Sequence, residues 1–241
     1  YRPHRDLHSF PPRRSSDLYG NTASLHRMGL DAEKALKNSR GLIAKHLRCL
    51  PEQLVFTSGG SESNNWIVQR VMEGVAGHIV VSSIEHPSVL EVVKAMATKG
   101  WQVTYVPVNK AGIVQIADIL KVVQVNTKLV SVMLVNNETG ALQPIEKMVK
   151  ALRNSGYTGL IHTDATQAVG KVKINIVQLG VDFLSLSAHK CHGPKGVGLL
   201  YQKQHNVLKP LMYGGGQEAN QRSGTQDRKS TRLNSSHGII W

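Results

Sequence analysis

Apolar positions along this chain follow two rhythms that take turns from residue 19 onward. Short runs rich in β-branched and apolar residues predict strands: "QLVFTS" (53–58), "HIVVSS" (78–83), "WQVTYVPV" (101–108), "KLVSVMLV" (128–135), "GLIHTD" (159–164), "DFLSLS" (182–187) and "GVGLLYQ" (196–202). Between them, residues 24–48, 62–73, 86–98, 115–123 and 144–154 are expected to be helical, and in the first of these Leu36, Ile43 and Leu47 share one face. Continuous apolar strands separated by helices imply an α/β fold, a mainly parallel sheet sandwiched by helices. Neither an internal repeat nor a long linker breaks the alternation, so one domain over residues 19–227 is expected. Residues 1–18 and 228–241 lack the rhythm and are expected to be non-native or disordered tails.

Charge changes this picture little. The formal net charge is +13, of which the two tails carry +2 and +3; the remaining +8 is spread without a basic block. That distribution favours a face that attracts anionic small ligands over a nucleic-acid partner. No apolar run approaches the roughly 18–20 residues that cross a bilayer, so no membrane partner is expected. Cys49 and Cys191 show no paired spacing, which fits a reducing, cytoplasmic setting and is compatible with a mitochondrial one.

In such sheets ligands sit at the carboxyl ends of the strands. Those ends read "TSGGSESNN" (57–65), "SSIEHPS" (82–88), "NNETG" (136–140), "HTDATQAVG" (162–170) and "SAHKCHGPKG" (187–196). Gly60 and Ser61 lie where a strand enters a helix, either as a phosphate cradle or as a glycine-rich turn with Ser61 as N-cap. Asp164 ends an apolar strand and needs a partner, which a protonated ring nitrogen, a helix cap or an ion pair can supply. His86, just ahead of Pro87, offers a flat ring for stacking or a cap for the next helix. Lys190 is either a solvated loop charge or an amine held to attack a carbonyl. Taken together, a phosphate cradle, a carboxylate, an imidazole and a lysine meet the demands of pyridoxal 5′-phosphate. His189, Cys191 and His192 offer a rival zinc site, but they lack a CxxC or HExxH pattern and flank Lys190, so no metal is expected.

The stretches "YGNTASLHRMG", "VFTSGGSESNN", "EHPSV", "VNNETG", "HTDATQAVGK", "SAHKCHGPKGVGLLY" and "GGGQEANQRSGT" span residues 19 to about 226. In that order they resemble the cysteine desulfurase and selenocysteine lyase family, class V of the aminotransferase-like enzymes with the type I pyridoxal-phosphate fold. The resemblance implies that Lys190 attaches the cofactor and, with His86, is catalytic. It implies that Asp164 pairs with the pyridine nitrogen, that His86 stacks on the ring, and that Gln167 and Asn137 meet the ring's oxygen side. Gly60, Ser61, Ser187 and His189 would hold the phosphate, and Thr225 would reach the phosphate of the neighbouring subunit in a homodimer. Ser61 stands where the family usually has Thr, and Cys191 reads as packing.

The implied reaction takes sulfur from L-cysteine, leaving L-alanine and a persulfide destined for a sulfur-acceptor protein, as in iron–sulfur cluster supply. Two alternatives stand beside it: a lyase acting on L-selenocysteine, and a non-catalytic binding fragment. The family carries a further strand before "YGN", and beyond "RSGT" a small domain whose mobile loop bears the nucleophilic cysteine. Neither Cys49 nor Cys191 matches that motif, so the chain is expected to bind the cofactor without desulfurating cysteine.

Overall fold

Successive side chains on a strand point to opposite faces, and this period of two decides which helix covers which side of the sheet. The computed structural model describes residues 20–204 and 208–226. Both expected tails lie outside them. Among the described residues seven strands form one sheet: β1 (Leu54–Thr57), β2 (His78–Ser82), β3 (Gln102–Val106), β4 (Thr127–Ser131), β5 (Leu160–Asp164), β6 (Phe183–Ser187) and β7 (Gly198–Gln202). Their order across the sheet is β1-β7-β6-β5-β4-β2-β3. Pairing is parallel throughout except at β7, which runs antiparallel to both β1 and β6.

The helices are α1 (Arg27–Leu47), α2 (Gly60–Val71), α3 (Pro87–Ala97), α4 (Ile116–Val122), α5 (Ile145–Asn154) and α6 (Ile176–Leu179). The first five answer the predicted segments, but α2 starts two residues earlier than its expected 62. The short α6 was not expected, although its signals are local: the Asn175 side chain accepts from Gln178 N, and Gly180, at φ 71°, ends it. On one face of the sheet Leu54, Phe56, Val80, Val130, Ile161, Leu184 and Leu199 pack with Leu36 and Leu47 of α1 and Met148 and Leu152 of α5. On the other, Val55, Ile79, Val81, Leu129, Phe183 and Leu200 pack with Trp66 and Ile67 of α2 and Val89 and Val93 of α3. The two lists interleave residue by residue, which confirms the expected sandwich.

One strand is shorter than its apolar run. Residues 129–134 are all buried, yet β4 stops at Ser131. Toward β5 the bonding continues, with Val132 N donating to His162 O and Leu134 N to Asp164 O. On the β2 side, Met133 N donates to the Glu85 carboxylate at 2.6 Å, so a side chain stands in for the strand.

A close backbone approach sets the start of α2. A Cβ at Gly198, the first residue of β7, would stand 2.4 Å from Gly59 Cα and 2.5 Å from Gly59 C. Beyond β7 the chain returns through residues 214–226, where Glu218, Ala219 and Asn220 hold φ of 49°, 54° and 66°. Glu218 anchors this segment: Arg40 of α1 donates to both of its carboxylate oxygens at 2.9 and 2.8 Å, and Phe56 N donates to it at 2.8 Å.

Gly198→Ala should therefore lower stability by about 1–3 kcal/mol in urea denaturation, the range for forcing atoms into a packed site. Gly41→Ala, in the interior of α1 where nothing lies within 4 Å of the added carbon, should raise stability by up to about 1 kcal/mol. Equal effects of the two changes would contradict the close packing described here.

Candidate active site

Parallel strands deliver their carboxyl ends to one edge of the sheet, and there all five predicted loops meet around a cavity of about 340 Å³. Its lining includes Gly60, Ser61, His86, Asn137, Asp164, Gln167, Ser187, His189 and Lys190. Thr225 alone among the expected residues is elsewhere; it is exposed near the end of the returning segment.

At the start of α2 the N-cap is Gly59, so Ser61 is not the cap and sits exposed within the first turn. The first-turn N–H groups of a helix have no partner inside it, and they carry the positive end of its dipole. Glu62 is turned away from the cavity. It accepts from Ser58 N at 2.8 Å and from Arg222 Nε at 2.8 Å, and these bonds outweigh burial, which alone would raise its pKa, and hold its carboxyl below the usual range.

Asp164 closes β5 in a buried position, and both of its oxygens accept: Oδ2 from Asn64 Nδ2 at 2.7 Å, Oδ1 from Thr166 N at 2.9 Å. His86 is the N-cap of α3 and also lines the cavity, so the capping and ring-facing roles coincide. Its Nδ1 accepts from Ser88 N at 3.1 Å and lies 2.8 Å from Ser88 Oγ. Asn137 is presented by its neighbour Asn136, whose Oδ1 accepts from Glu138 N, Thr139 N and Thr139 Oγ1 and folds the loop back on itself. Gln167 Oε1 accepts from Lys171 Nζ at 3.0 Å.

After β6, Ser187 Oγ lies 2.8 Å from His189 Nδ1. Desolvation, followed by the charges of Lys190 and Lys195, holds the His189 imidazole below its ordinary range. Lys190 follows in a 3-10 turn, Ala188–Cys191, as an exposed residue on the cavity's rim rather than a buried one. Cys191 is buried, donates its S–H to Ala188 O at 3.2 Å, and has its pKa raised by burial. Among the described residues no group of three or more His, Cys, Asp or Glu side chains is placed to hold a metal ion, and no helix is long and apolar enough to cross a membrane.

Sequence reasoning missed three residues at or beside this cavity. Asn64 Oδ1, Thr166 Oγ1 and Glu85 Oε2 are buried oxygens without a hydrogen-bond partner. Unpartnered buried polar atoms are rare in folded proteins; of these residues Thr166 lines the cavity and Asn64 bonds its wall at Asp164. Asn64 lies one helical turn beyond Gly60, a spacing that could have flagged it; Glu85 beside an exposed histidine reads as surface. In the fold Glu85 is buried, with Oε1 accepting from Ser82 Oγ at 2.6 Å and from Met133 N. Desolvation pushes its pKa up to about 8, against those two bonds and with a further push from Asp164.

Residues 13–237 match the Aminotransferase class-V family. The chain belongs to that family. Relatives of this class-V chain include cysteine desulfurase IscS of Dictyoglomus turgidum, 40% identical over 214 residues, which are 88% of this chain and 54% of the relative. The mitochondrial cysteine desulfurase of Saccharomyces cerevisiae is also 40% identical over 214 residues, 86% of this chain and 43% of the relative. Among solved structures a NifS-like protein superposes with a TM-score of 0.90 at 39% identity, covering 93% of this chain and 62% of that one. SspA in complex with cysteine superposes at 0.86 with 35% identity, covering 92% and 66%. The class-V chain thus spans about half the length of the curated relatives it matches.

A raised folded pKa means that the stability of the protonated Glu85 is full below the ordinary carboxylate range and is lost as pH climbs toward 8. His162, held down to about 4 by burial, titrates well below that window in the folded chain. From pH 7 to pH 8 the wild type should lose about 1 kcal/mol more stability than Glu85→Gln, measured by chemical denaturation. Parallel profiles would show that Glu85 is charged throughout.

Proposed function

We propose that this chain carries the pyridoxal 5′-phosphate site of a cysteine desulfurase, with L-cysteine as substrate. The observation that carries this reading is one cavity walled by a lone carboxylate, Asp164, an amine, Lys190, and two groups of donors. The donors are the start of α2 with Ser61, and the Ser187–His189 pair. Such a set fits a ligand that is an anion at one end and a protonated ring nitrogen at the other, and the unpartnered Thr166 Oγ1 of the cavity lining marks a site shaped for polar contact.

When bound, pyridoxal phosphate supplies an aldehyde for an amine and a ring that withdraws electrons. The N–H groups of α2, Ser61, Ser187 and His189 would bind its phosphate. Asp164 would hold the proton on the ring nitrogen, His86 would stack on the ring, and Asn137 and Gln167 would bind its oxygen side. Lys190 Nζ is the amine that would hold the cofactor's aldehyde, and as a free amine it would move a proton as base and then as acid. The thiolate that takes the sulfur is assigned to neither cysteine, since neither lines the cavity and burial pushes Cys49 up to about 12. By the same reading Thr225 meets the phosphate of a second copy in a homodimer, and the sulfur passes to an acceptor protein. The relatives named above are cysteine desulfurases, which favours L-cysteine over L-selenocysteine.

Titration with pyridoxal phosphate followed by borohydride reduction and peptide mapping should label Lys190, and Lys190→Ala should lose the label. Asp164→Asn should weaken cofactor binding about ten- to a hundredfold, the worth of one charge-assisted hydrogen bond. A label confined to another lysine would overturn the assignment. L-cysteine added to the loaded chain should shift the cofactor's absorbance; a response to L-selenocysteine alone would overturn the substrate.

A further inference from the structure

We propose that Asn64 and Ser88 are positioning residues that lock His86 in a single tautomer and tie it to Asp164. The inference rests on the reading of the cavity given above for its purpose, but not for its geometry. A single amide nitrogen, Asn64 Nδ2, donates to Asp164 Oδ2 at 2.7 Å and to Ser88 Oγ at 2.9 Å. An amide nitrogen has two hydrogens, so both are committed. Ser88 Oγ, having accepted from Asn64, lies 2.8 Å from His86 Nδ1, and the backbone N–H of Ser88 donates to the same atom at 3.1 Å. A nitrogen that accepts from a backbone N–H cannot carry a proton itself. Neutral His86 therefore carries its proton on Nε2, and the Ser88 hydroxyl points its hydrogen at Nδ1.

The direction of the relay is fixed at its far end. Turning the Asn64 amide over would set its oxygen against Asp164 Oδ2, two acceptors at hydrogen-bond distance. The orientation is kept although it leaves Asn64 Oδ1 buried without a partner. The neighbouring Asn65 adds rigidity: its Nδ2 donates to Ser88 O at 3.3 Å, so two consecutive residues of α2 clasp the first turn of α3. Asp164 thus dictates which hydrogen His86 offers, through two side chains on different helices.

Long-range proton–nitrogen NMR of the cofactor-free 241-residue chain with ¹⁵N-labelled histidine reads this directly. The spectra are taken at alkaline pH, and the His86 signal is assigned by its loss in His86→Gln. The wild type should show His86 with the proton on Nε2. Ser88→Ala should lower the ratio of that tautomer to the other by about two- to tenfold, the worth of one hydrogen bond, and Ser88→Thr should restore it. Asp164→Asn frees the Asn64 amide to turn over and take the Ser88 hydrogen, so it should lower the ratio from a distance. A wild-type His86 protonated on Nδ1, or a ratio indifferent to both Ser88→Ala and Asp164→Asn, would overturn the relay. A chain that shows the expected pattern yet takes up no pyridoxal phosphate upholds the relay and refutes the function proposed for the cavity.

Discussion

A carboxylate at the closed end of a buried strand has to be met by donors, and much of this molecule is arranged around that demand at Asp164. One donor is the backbone of Thr166, supplied by the turn after β5; the other is Asn64, one turn into α2. Meeting the second requires α2 to begin close to the sheet, and only a glycine at position 198 lets the backbone of Gly59 come near enough. The helix that satisfies Asp164 therefore has its own open end aimed at the same cavity. Donor edge and acceptor wall are two results of one placement.

Most of the architecture was legible because its signals are local and repeated. The apolar runs placed seven strands, and the polar residues after them named most of the residues that line the cavity. What escaped depended on partners far away in sequence. Nothing in "KLVSVMLV" indicates that Glu85 will accept the Met133 N–H and replace β2 as its neighbour. Nor does "SGGSES" reveal that Gly59, and not Ser61, will cap α2, since that follows from the contact with β7. The standing of Lys190 was also beyond sequence: exposed residue and cavity wall proved to be the same place.

The returning segment shows a second balance of forces. Consecutive non-glycine residues in the left-handed region are unfavourable by about 1 kcal/mol or more each, and Glu218, Ala219 and Asn220 occupy it in succession. They are held there by the paired bonds between Glu218 and Arg40, whose guanidinium also stacks on Phe56 at 4.7 Å, and by Arg222 against Glu62 at the start of α2. The ion pair at Arg222 fastens this segment to the helix that opens on the cavity.

The position of β1 bears on how the chain acquires its shape. This strand is an early one, yet its partner in the sheet is β7, with Leu54 opposite Tyr201. Contacts between residues so remote in sequence form late, because the intervening chain must first be ordered. As synthesis proceeds, β1 and the glycines that follow it remain unpaired until β7 emerges, leaving an apolar edge open in the meantime. The pairing of β1 with β7 is then also the step that draws the glycines after β1 into the wall of the ligand cavity, so a nascent chain has no binding competence until β7 has emerged.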